Sequence, residues 1–436
     1  MVLRQFICIV FLIAVTADLS WAGPNWAQWR GPHFNGSSEA KNLPTEWSKD
    51  KNVEWVTPLP GASGATPIIW EDKVFATSLN NRTFDLEGVC IDRNTGKILW
   101  TKTLGIGFSD EGRGKNLASP SPVTDGEKVI FSFGTGDIAA LDFDGNILWQ
   151  KNHQQDYGRF QYNFGYHASP LLDDGKLYIQ VLQRDKGNPG PTKEERHPEH
   201  SYFLCMDPNT GEYLWKHDRP TDAWDESREA YSTPMPFEHE GRKEILILGG
   251  DCISGHDPET GKEYWRWGSW NPEHIGHWRM VPSPLSYDGL VYAFAPKQEP
   301  IFAIKAGGNG KLSDDWVVWK LEDKTTDVAV PLIYKDKMYV LDGDGRFVTK
   351  LEPKTGEVLW RGRLGGKAVY RASPTGADDK IYMINEQGHT VVLGTGDEFE
   401  VLNEVEMGEG LCRSTISVTD GQLFIRTAEH LYCIGE

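Results

Sequence analysis

The stretch Ala118–Trp149, ASPSPVTDGEKVIFSFGTGDIAALDFDGNILW, decides the fold because its pattern returns along the chain. A second copy runs through Ala168–Val181, ASPLLDDGKLYIQV, and Phe203–Trp215, FLCMDPNTGEYLW. Both copies have a small residue before Pro, apolar runs rich in β-branched or aromatic residues, turns with Gly, and a closing Trp. Asp, Asn and Gly supply the positive φ angles that tight hairpins need. Self-similarity on this scale predicts a repeat architecture.

Each copy is long enough for four strands. In the copy that begins at Ser169, the pattern predicts strands over residues 169–172, 176–181, 203–207 and 212–216. Four antiparallel strands per copy predict one blade of a β-propeller. A single blade cannot bury both of its faces, so the copies are expected to fold as one cooperative domain.

The first-strand anchors give the number of blades, because a small residue before Pro marks the start of each copy. The last copy reaches only its third strand, and residues 52–56 near the amino end read as an isolated fourth strand. The sequence therefore predicts an all-β, eight-bladed β-propeller whose ring is closed by an N-terminal strand that completes the last blade. The eight anchors are Ala65-Thr66-Pro67, Ser119-Pro120, Ser169-Pro170, Ser232-Thr233-Pro234, Ser283-Pro284, Val330-Pro331, Ser373-Pro374 and Ser414-Thr415.

The amino terminus has the pattern of a secretory signal peptide. Arg4 precedes the apolar run 6–15, and Ser20-Trp21-Ala22 offers a cleavage site before Gly23, with Val15-Thr16-Ala17 as an alternative. We expect residues 1–22 to be removed, residues 23–436 to form a single propeller domain, and residues 23–50 to pack on it as an extension. The mature protein is expected to be exported, periplasmic or extracellular, and a monomer.

Composition excludes some classes of partner. The chain has 45 Lys and Arg against 63 Asp and Glu, a formal net charge of −18. An acidic surface of this kind repels phosphate backbones, so no nucleic-acid partner is expected. No later apolar stretch is long enough to span a membrane. Cys90, Cys205 and Cys433 share one position near the end of a third strand, which indicates buried free thiols rather than disulfides.

A tryptophan closes the fourth strand of most copies, and blade seven has Phe399 or Val401 near the equivalent place. We interpret these rings as packing between blades, since aromatic side chains dominate core energetics. The other reading, an aromatic ligand platform at each ring, is weaker. The residues are Trp55, Trp100, Trp149, Trp215, Trp265, Trp319 and Trp360.

The two faces of the predicted ring differ in loop length. Turns between strands one and two and between strands three and four are short, apart from 306–315. The connections between strands two and three and between blades share the opposite face, called here the long-loop face, and they are long and rich in Arg, His and aromatic residues. Long loops on a rigid scaffold carry binding functions. The candidate ligand-binding residues are Arg159, Tyr166, His167, His277, Trp278, Arg279, Arg371 and Arg413.

An alternative reading is that these cations pair with loop carboxylates such as Asp110, Glu226 and Glu229 and only fasten the blades. His274-x-x-His277 and His197-x-x-His200 lack a Cys partner and a fixed backbone period, and Asp342–Gly345 lacks the downstream Glu of a calcium loop. No metal site and no catalytic residue are therefore predicted. The expected partner is an envelope protein, a glycan or a small anionic ligand.

The repeat resembles the tryptophan-docking repeat of pyrroloquinoline quinone (PQQ) propellers over almost the whole mature chain. Lys97-Ile98-Leu99-Trp100, Ala140-Leu141-Asp142 and Cys205–Trp215 carry the resemblance, together with the amino-terminal Asn25–Gly31. Quinoprotein alcohol dehydrogenases and the outer-membrane assembly lipoprotein of the BamB type share this eight-bladed plan, so the repeat is specific for fold and not for activity.

The resemblance to the dehydrogenases would imply a PQQ cofactor with calcium, held beside a disulfide between adjacent cysteines. No two cysteines are adjacent in this chain. The favoured hypothesis is an exported, non-catalytic binding or scaffold protein of the envelope, without a cofactor. The alternative is a PQQ-dependent oxidoreductase with a divergent funnel, in which Arg279, Arg371 or Arg413 faces the quinone carboxylates.

Overall fold

The computed structural model describes residues 24–108, 116–184 and 201–435. These residues form eight antiparallel sheets arranged as the blades of one ring, which confirms the predicted β-propeller. The proposed signal peptide lies outside the described residues. None of the described helices is both long and apolar enough to cross a membrane.

The first four blades follow the chain in order. Their strands are β2 (Ile68–Trp70), β3 (Lys73–Leu79), β4 (Asp85–Asp92) and β5 (Ile98–Ile106); β6 (Val123–Thr124), β7 (Lys128–Ser132), β8 (Asp137–Asp142) and β9 (Ile147–Asn152); β10 (Leu171–Asp173), β11 (Lys176–Val181), β12 (Tyr202–Met206) and β13 (Tyr213–Asp218); and β14 (Met235–His239), β15 (Arg242–Leu248), β16 (Ile253–His256) and β17 (Glu263–Trp267).

The last four blades complete the ring. Their strands are β18 (Leu285–Tyr287), β19 (Leu290–Phe294), β20 (Ile301–Lys305) and β22 (Val317–Leu321); β23 (Leu332–Tyr334), β24 (Lys337–Asp342), β25 (Phe347–Leu351) and β26 (Val358–Arg363); β27 (Thr375–Ala377), β28 (Lys380–Ile384), β29 (His389–Gly394) and β30 (Val401–Glu406); and β31 (Ser417–Thr419), β32 (Gln422–Arg426), β33 (His430–Gly435) and β1 (Val53–Pro58). The short helix α1 (His153–Tyr157) and the 3-10 turns Asp225–Arg228 and Asp314–Trp316 lie in connections.

The third blade shows how closely the turn residues set the strand bounds. Its second strand begins and ends at the predicted residues, Lys176 and Val181, because the turn at Gly175 (φ +70°) fixes its start. Its first strand is shorter than predicted and begins at Leu171. Asp342–Gly345 is a hairpin turn between the second and third strands of the sixth blade, as expected from its position.

The ring closes through the N-terminal strand, as predicted. β1 pairs antiparallel with β33, with Val56 opposite Tyr432. The buried guanidinium of Arg426 adds a second link, because it donates to the carbonyl of Thr77 at 2.6 Å and to that of Gly61 at 3.1 Å. The first and last blades are therefore joined by backbone pairing and by an internal side chain.

The segment 306–315, expected to be the one long turn on the short-loop face, contains an added strand. β21 (Gly310–Lys311) leaves the fifth blade and pairs parallel with β17 of the fourth, with Trp265 opposite Gly310. Leu312 then donates its amide to the carbonyl of Arg266 at 2.9 Å. The fourth blade consequently has five strands, and its outer edge is covered by its neighbour.

Residues 24–37 cross beneath the ring. Trp26 bridges to Ile69 of the first blade, and Ser37 bridges to Gly376 of the seventh. Between them the buried guanidinium of Arg30 donates to the carbonyls of Pro331 and Pro374, both at 3.1 Å. The N-terminal segment thus links the first blade to the sixth and seventh blades.

The fourth-strand tryptophans lie between neighbouring blades. The Trp149 indole donates to the Pro208 carbonyl of the third blade at 2.8 Å, and Trp55, Trp100, Trp319 and Trp360 make corresponding bonds at 2.7 to 3.3 Å. Five of the rings lie on the turn glycine of the next blade, namely Gly96, Gly145, Gly211, Gly261 and Gly356. Trp265 makes neither contact: its indole bonds to Glu244 of its own blade at 2.6 Å, and its backbone pairs with Gly310 of β21.

The described cysteines are buried free thiols, as the sequence indicates. Burial raises the pKa of Cys90, Cys205 and Cys412 to about 12, so these thiols stay protonated at neutral pH. They act as small apolar core residues.

Candidate functional site

A cavity of about 400 Å³ lies on the axis of the ring and receives residues from all eight blades. Its wall is built mainly from two positions in the segments that lead into the first strands. The third residue before the anchor proline lines the cavity in every blade, and the residue directly before the proline does so in five of them; the eighth blade has Ile416 in place of the proline. In the second blade the structural anchor is Ser121-Pro122, two residues later than the sequence-based assignment at Ser119-Pro120, because β6 begins at Val123.

The residues directly before the anchor proline form a belt of hydrogen bonds between blades. The amide of Thr66 donates to Ser121 Oγ at 2.9 Å, Ser121 to Ser169 Oγ at 2.9 Å, and Ser169 to Thr233 Oγ1 at 3.2 Å. Thr415 joins the eighth blade to the first by donating to Thr66 Oγ1 at 3.2 Å, and Val330, which has no hydroxyl, interrupts the belt in the sixth blade. The Ser and Thr residues before the anchors therefore hold the innermost strands in register. Because these same residues face the axis, they also make part of the cavity lining polar.

The residues three before the anchor change in chemistry around the wall. His167 and Tyr231 face the cavity from the third and fourth blades, and Arg371 and Arg413 from the seventh and eighth. The fifth and sixth blades contribute Val281 and Val328, and the first and second contribute Gly64 and Ser119. In an eight-bladed ring, the two arginines consequently lie across the axis from the imidazole and the phenol.

Each cavity arginine has a carboxylate partner on the long-loop face. Arg413 Nε donates to Glu386 at 2.7 Å, and Arg371 Nη2 donates to Asp344 at 2.8 Å. In both cases the connection between two blades meets the hairpin between strands two and three of the preceding blade. These pairs are partly solvated and hold the guanidinium groups at the mouth of the cavity.

Arg279 also lines the cavity, although it lies two residues before the ring position held by Val281. Its guanidinium lies 3.6 Å from Glu226 and 3.9 Å from Asp327, and 5.3 Å from the ring centre of Phe164. The pairing of Arg279 with Glu226 is the fastening role considered as the alternative reading of the sequence. The same arginine faces the cavity, so the two roles coexist.

His167 is neutral. Burial lowers its pKa to about 4, the bond from its ring to the Phe164 carbonyl at 2.7 Å opposes this shift, and the charge of Arg413 across the cavity lowers the pKa further. The imidazole therefore contributes a polar aromatic surface and no positive charge at neutral pH.

Tyr231 is held by a fully buried carboxylate. Its hydroxyl donates to Glu229. The Glu229 carboxylate also accepts a hydrogen bond from the main-chain N–H of Asn163 at 3.1 Å and pairs with Arg184. Burial raises the pKa of Tyr231 well above its usual value, so the phenol stays protonated. This network fixes the aromatic wall in place.

The N-terminal segment closes the cavity opposite the long-loop face. Trp29 lines the cavity there, directly before the buried Arg30 that binds the carbonyls of Pro331 and Pro374. The cavity is therefore a blind funnel that opens at the arginine pairs.

Four of the eight candidate residues line the cavity, and four do not. Tyr166 is 3% exposed and packs with Phe160 and Tyr162 in an apolar cluster, so its place beside His167 in sequence was misleading. Arg159 and His277 are exposed outside the cavity lining. Trp278 packs against the core of the fourth and fifth blades, and its amide donates to Ser227 at 2.8 Å.

Sequence reasoning missed the lining residues Trp29, Phe164, Glu386 and the hydroxyl belt. The distance of each residue from the anchor proline could have identified the belt, because it is constant from blade to blade. Trp29 carries no such signal, since its segment lies outside the repeat.

The lining of the cavity fits only part of a quinone with calcium. In the described ranges, no three His, Cys, Asp or Glu side chains converge in a way that could hold a metal ion. Glu386 in the wall and Asp344 at the mouth are each bonded to an arginine. The arginines suit the carboxylates of such a ligand, but the donors do not suit its calcium ion. His274 is exposed, and His197 and His200 lie outside the described residues.

The family profile described as "Outer membrane protein assembly factor BamB" matches residues 38–184 and 200–435. No curated protein matches the chain. The match spans all eight blades, so it bears on the whole ring rather than on one repeat.

Solved structures show the same fold at low sequence identity. BamB from Moraxella catarrhalis is 15% identical, with a TM-score of 0.59 over 88% of this chain and 99% of that one. A europium-containing methanol dehydrogenase is 11% identical, with a TM-score of 0.70 over 96% and 99%. Quinohemoprotein alcohol dehydrogenase from Comamonas testosteroni is 13% identical, with a TM-score of 0.64 over 94% and 80%. At these identities the likeness is one of fold.

Proposed function

The chain belongs to the BamB-type family of PQQ-like propellers, and on that basis we propose that it is a non-catalytic binding protein of the cell envelope. Its ligand, or a segment of its partner, enters the axial cavity from the long-loop face. The family description, an outer-membrane assembly factor, and the signal-peptide pattern of residues 1–22 support an envelope location and a role in binding another envelope component.

The blind axial cavity is the observation that carries this proposal. All eight blades contribute to its wall, Trp29 lies at its floor, and three arginines with one glutamate are the charged residues among its described lining. A concave site with a few convergent polar groups on a rigid ring is the usual form of a binding site. The buried Tyr231–Glu229 pair keeps the wall preformed.

A photo-crosslinking amino acid tests where binding occurs. Val281 and Val328 line the cavity, and Val358 is an exposed valine on the outer strand β26. We expect adducts with envelope components when the crosslinker replaces Val281 or Val328, and none when it replaces Val358. Equal labelling at Val358, or no adduct at either lining position in folded protein, would contradict the proposal.

A second candidate is a PQQ-dependent oxidoreductase, which the arginines and Trp29 favour because they could accept a planar acid. The absence of adjacent cysteines in the sequence and the arginine-bound carboxylates weigh against it. Titration calorimetry with PQQ and calcium, followed by a dye-linked alcohol oxidation assay, separates the two. Binding heat together with dye reduction would replace the first proposal, and neither signal would remove the second.

A further inference from the structure

We propose that the lead-in segments of the seventh and eighth blades, Arg371-Ala372-Ser373 and Arg413-Ser414-Thr415, form a carboxylate-binding subsite in the axial cavity. The inference rests on the proposed function and names the chemistry of its ligand. Arg371, Ser373, Arg413 and Thr415 all line the cavity, and the two segments carry the same Arg-x-Ser/Thr pattern on adjacent blades. In no other blade does an arginine precede the hydroxyl residue by two positions.

The first step of the argument is charge. The whole chain carries a formal net charge of −18, but the charged residues in the described lining are Arg279, Arg371, Arg413 and a single carboxylate, Glu386. Asp327 and Asp344 hold arginines from outside that lining. The lining itself therefore carries three guanidinium groups and one carboxylate, while Glu226, Asp327 and Asp344 behind it balance that charge. An anion would be held there by free guanidinium donors and not by a net positive wall.

The second step is the number of free donors. Arg413 uses Nε for Glu386, and within the described residues neither of its Nη groups donates to a protein acceptor. Its side chain is 45% exposed. Arg371 uses both Nη groups for Asp344 and keeps Nε. A guanidinium with two adjacent free donors matches the two oxygens of a carboxylate.

The third step concerns the hydroxyls. Ser373 Oγ accepts the Val330 amide at 2.9 Å, and in the part of the chain that the structure describes neither Ser373 nor Thr415 donates its hydroxyl proton to a protein acceptor. A hydroxyl carries one donor, so both protons remain for an acceptor in the cavity. The two lead-ins consequently offer guanidinium and hydroxyl donors and, apart from Glu386, no competing acceptor side chain.

The opposite wall fits the remainder of such a ligand. His167 is neutral, Tyr231 is protonated, and Phe164 adds a further ring to the lining. This wall offers aromatic surface, and its one cation, Arg279, lies 5.3 Å from the ring centre of Phe164 and is paired with Glu226. A small organic acid or the carboxyl end of a polypeptide chain would satisfy both walls, and the cavity volume of about 400 Å³ limits how much of either can enter.

Calorimetry with two acid and amide pairs tests the subsite on the mature protein. The probes are benzoate with benzamide, and N-acetyl-Gly-Gly-Phe with its C-terminal amide. We expect at least one acid to bind, and its amide to bind about 10-fold more weakly or worse, because charge-assisted hydrogen bonds are lost. Preference for benzoate identifies a small acid, and preference for the peptide identifies a chain end.

Substitutions at Arg413 and Thr415 test whether these two residues cause the preference for the acid over its amide. Arg413→Gln and Thr415→Val should each lower the affinity for the acid and leave the affinity for its amide unchanged. For Arg413→Gln we expect the affinity for the acid to fall about 10-fold. Arg361→Gln is the matched control. Arg361 lies on the outer strand β26, outside the cavity lining, and like Arg413 it pairs with a carboxylate, that of Asp323. Thr415→Val keeps the fold testable if Arg413→Gln unfolds, because the Thr415 side chain makes no described bond to protein.

Binding of neither acid, equal binding of acid and amide, or full affinity in both folded variants would overturn the subsite. Such a result is distinguishable from failure of the proposed function. If crosslinks from Val281 and Val328 persist in Arg413→Gln, the cavity still binds its envelope partner and only the carboxylate assignment is wrong. If those crosslinks are absent from the unaltered protein, the proposed function itself is wrong.

Discussion

Four of the fourth-strand tryptophans combine two interactions in one side chain. Trp149 is 8% exposed, donates to the Pro208 carbonyl of the next blade, and lies on Gly211. Gly211 has φ of +70°, and a Cβ there would lie 2.7 Å from the indole. The glycine of the Thr-Gly turn is therefore needed both for the turn and for the neighbouring ring.

Trp149→Ala is expected to lower the free energy of unfolding by about 3 to 5 kcal/mol, because it removes a buried aromatic ring between blades. Equilibrium urea unfolding measures this change. Leu148→Ala is the control on the same strand, since Leu148 is 50% exposed and should change stability by less than about 0.5 kcal/mol. Equal effects of the two substitutions would contradict the packing role of Trp149.

Glu409 gives stability a dependence on pH. Burial alone would raise its pKa, but hydrogen bonds from Thr427, Tyr432 and His430 outweigh burial and lower it. A carboxyl whose folded-state pKa is lowered stabilises the protein above its unfolded-state pKa, and this contribution is lost as pH falls through the folded-state value.

Glu409→Gln should therefore destabilise the protein at pH 7, and the difference from the unaltered protein should shrink as pH falls below about 4.5. Thermal unfolding at a series of pH values measures it. A difference that stays constant down to pH 3 would show that the charge of Glu409 does not contribute.

At the scale of elements, β1 protects the last blade. It covers β33 over the register from Val53 to Pro58, which leaves no open edge on that strand. Removal of residues 24–58 would expose the unpaired groups of β33 and also take away the floor of the axial cavity. We expect the truncated protein to self-associate, as measured by light scattering after size exclusion.

Substituting Val56→Thr keeps β1 and serves as the control, because Val56 is 41% exposed and a β-branched residue is retained. A monomeric truncated protein with an unchanged melting temperature would contradict the role of β1 in closure.

Strand β21 marks the limit of sequence reasoning about elements. Its two residues, Gly310 and Lys311, are exposed and carry no apolar alternation, and their partner β17 belongs to another blade. Nothing local in residues 306–315 indicates parallel pairing. The β-branched runs and Gly turns of the blades, by contrast, are local signals, and the eight-bladed ring and its closure followed from them.

At the scale of the whole molecule, charge governs the response to salt. With a formal net charge of −18 the folded ring repels itself, and mobile ions screen that repulsion. We expect the melting temperature at pH 7.5 to rise between about 10 mM and 200 mM sodium chloride. The rise should disappear near pH 5.2, where the net charge approaches zero. A lower melting temperature in salt at pH 7.5 would mean that surface ion pairs outweigh the repulsion.

The axial cavity was only partly predictable, for a reason that also lies at this scale. Arg371 and Arg413 were identified because they directly precede first strands, and first strands are innermost in a propeller. Tyr166 and Trp278 are each directly next to a cavity residue in sequence, His167 and Arg279, but their side chains turn into the core. Which of two adjacent residues faces the axis depends on the register of the whole ring, and Trp29 arrives there from outside the repeat.

The pairing of β1 with β33 determines when the ring can close during synthesis of the chain. The ribosome makes β1 before all the other described strands and β33 after them, so the ring can close only once both strands have been synthesised. Bringing β1 and β33 together costs the entropy of closing a loop that contains almost all the described residues. Before the ring closes, β1 is the correct partner for β33, and any other free strand edge competes with it.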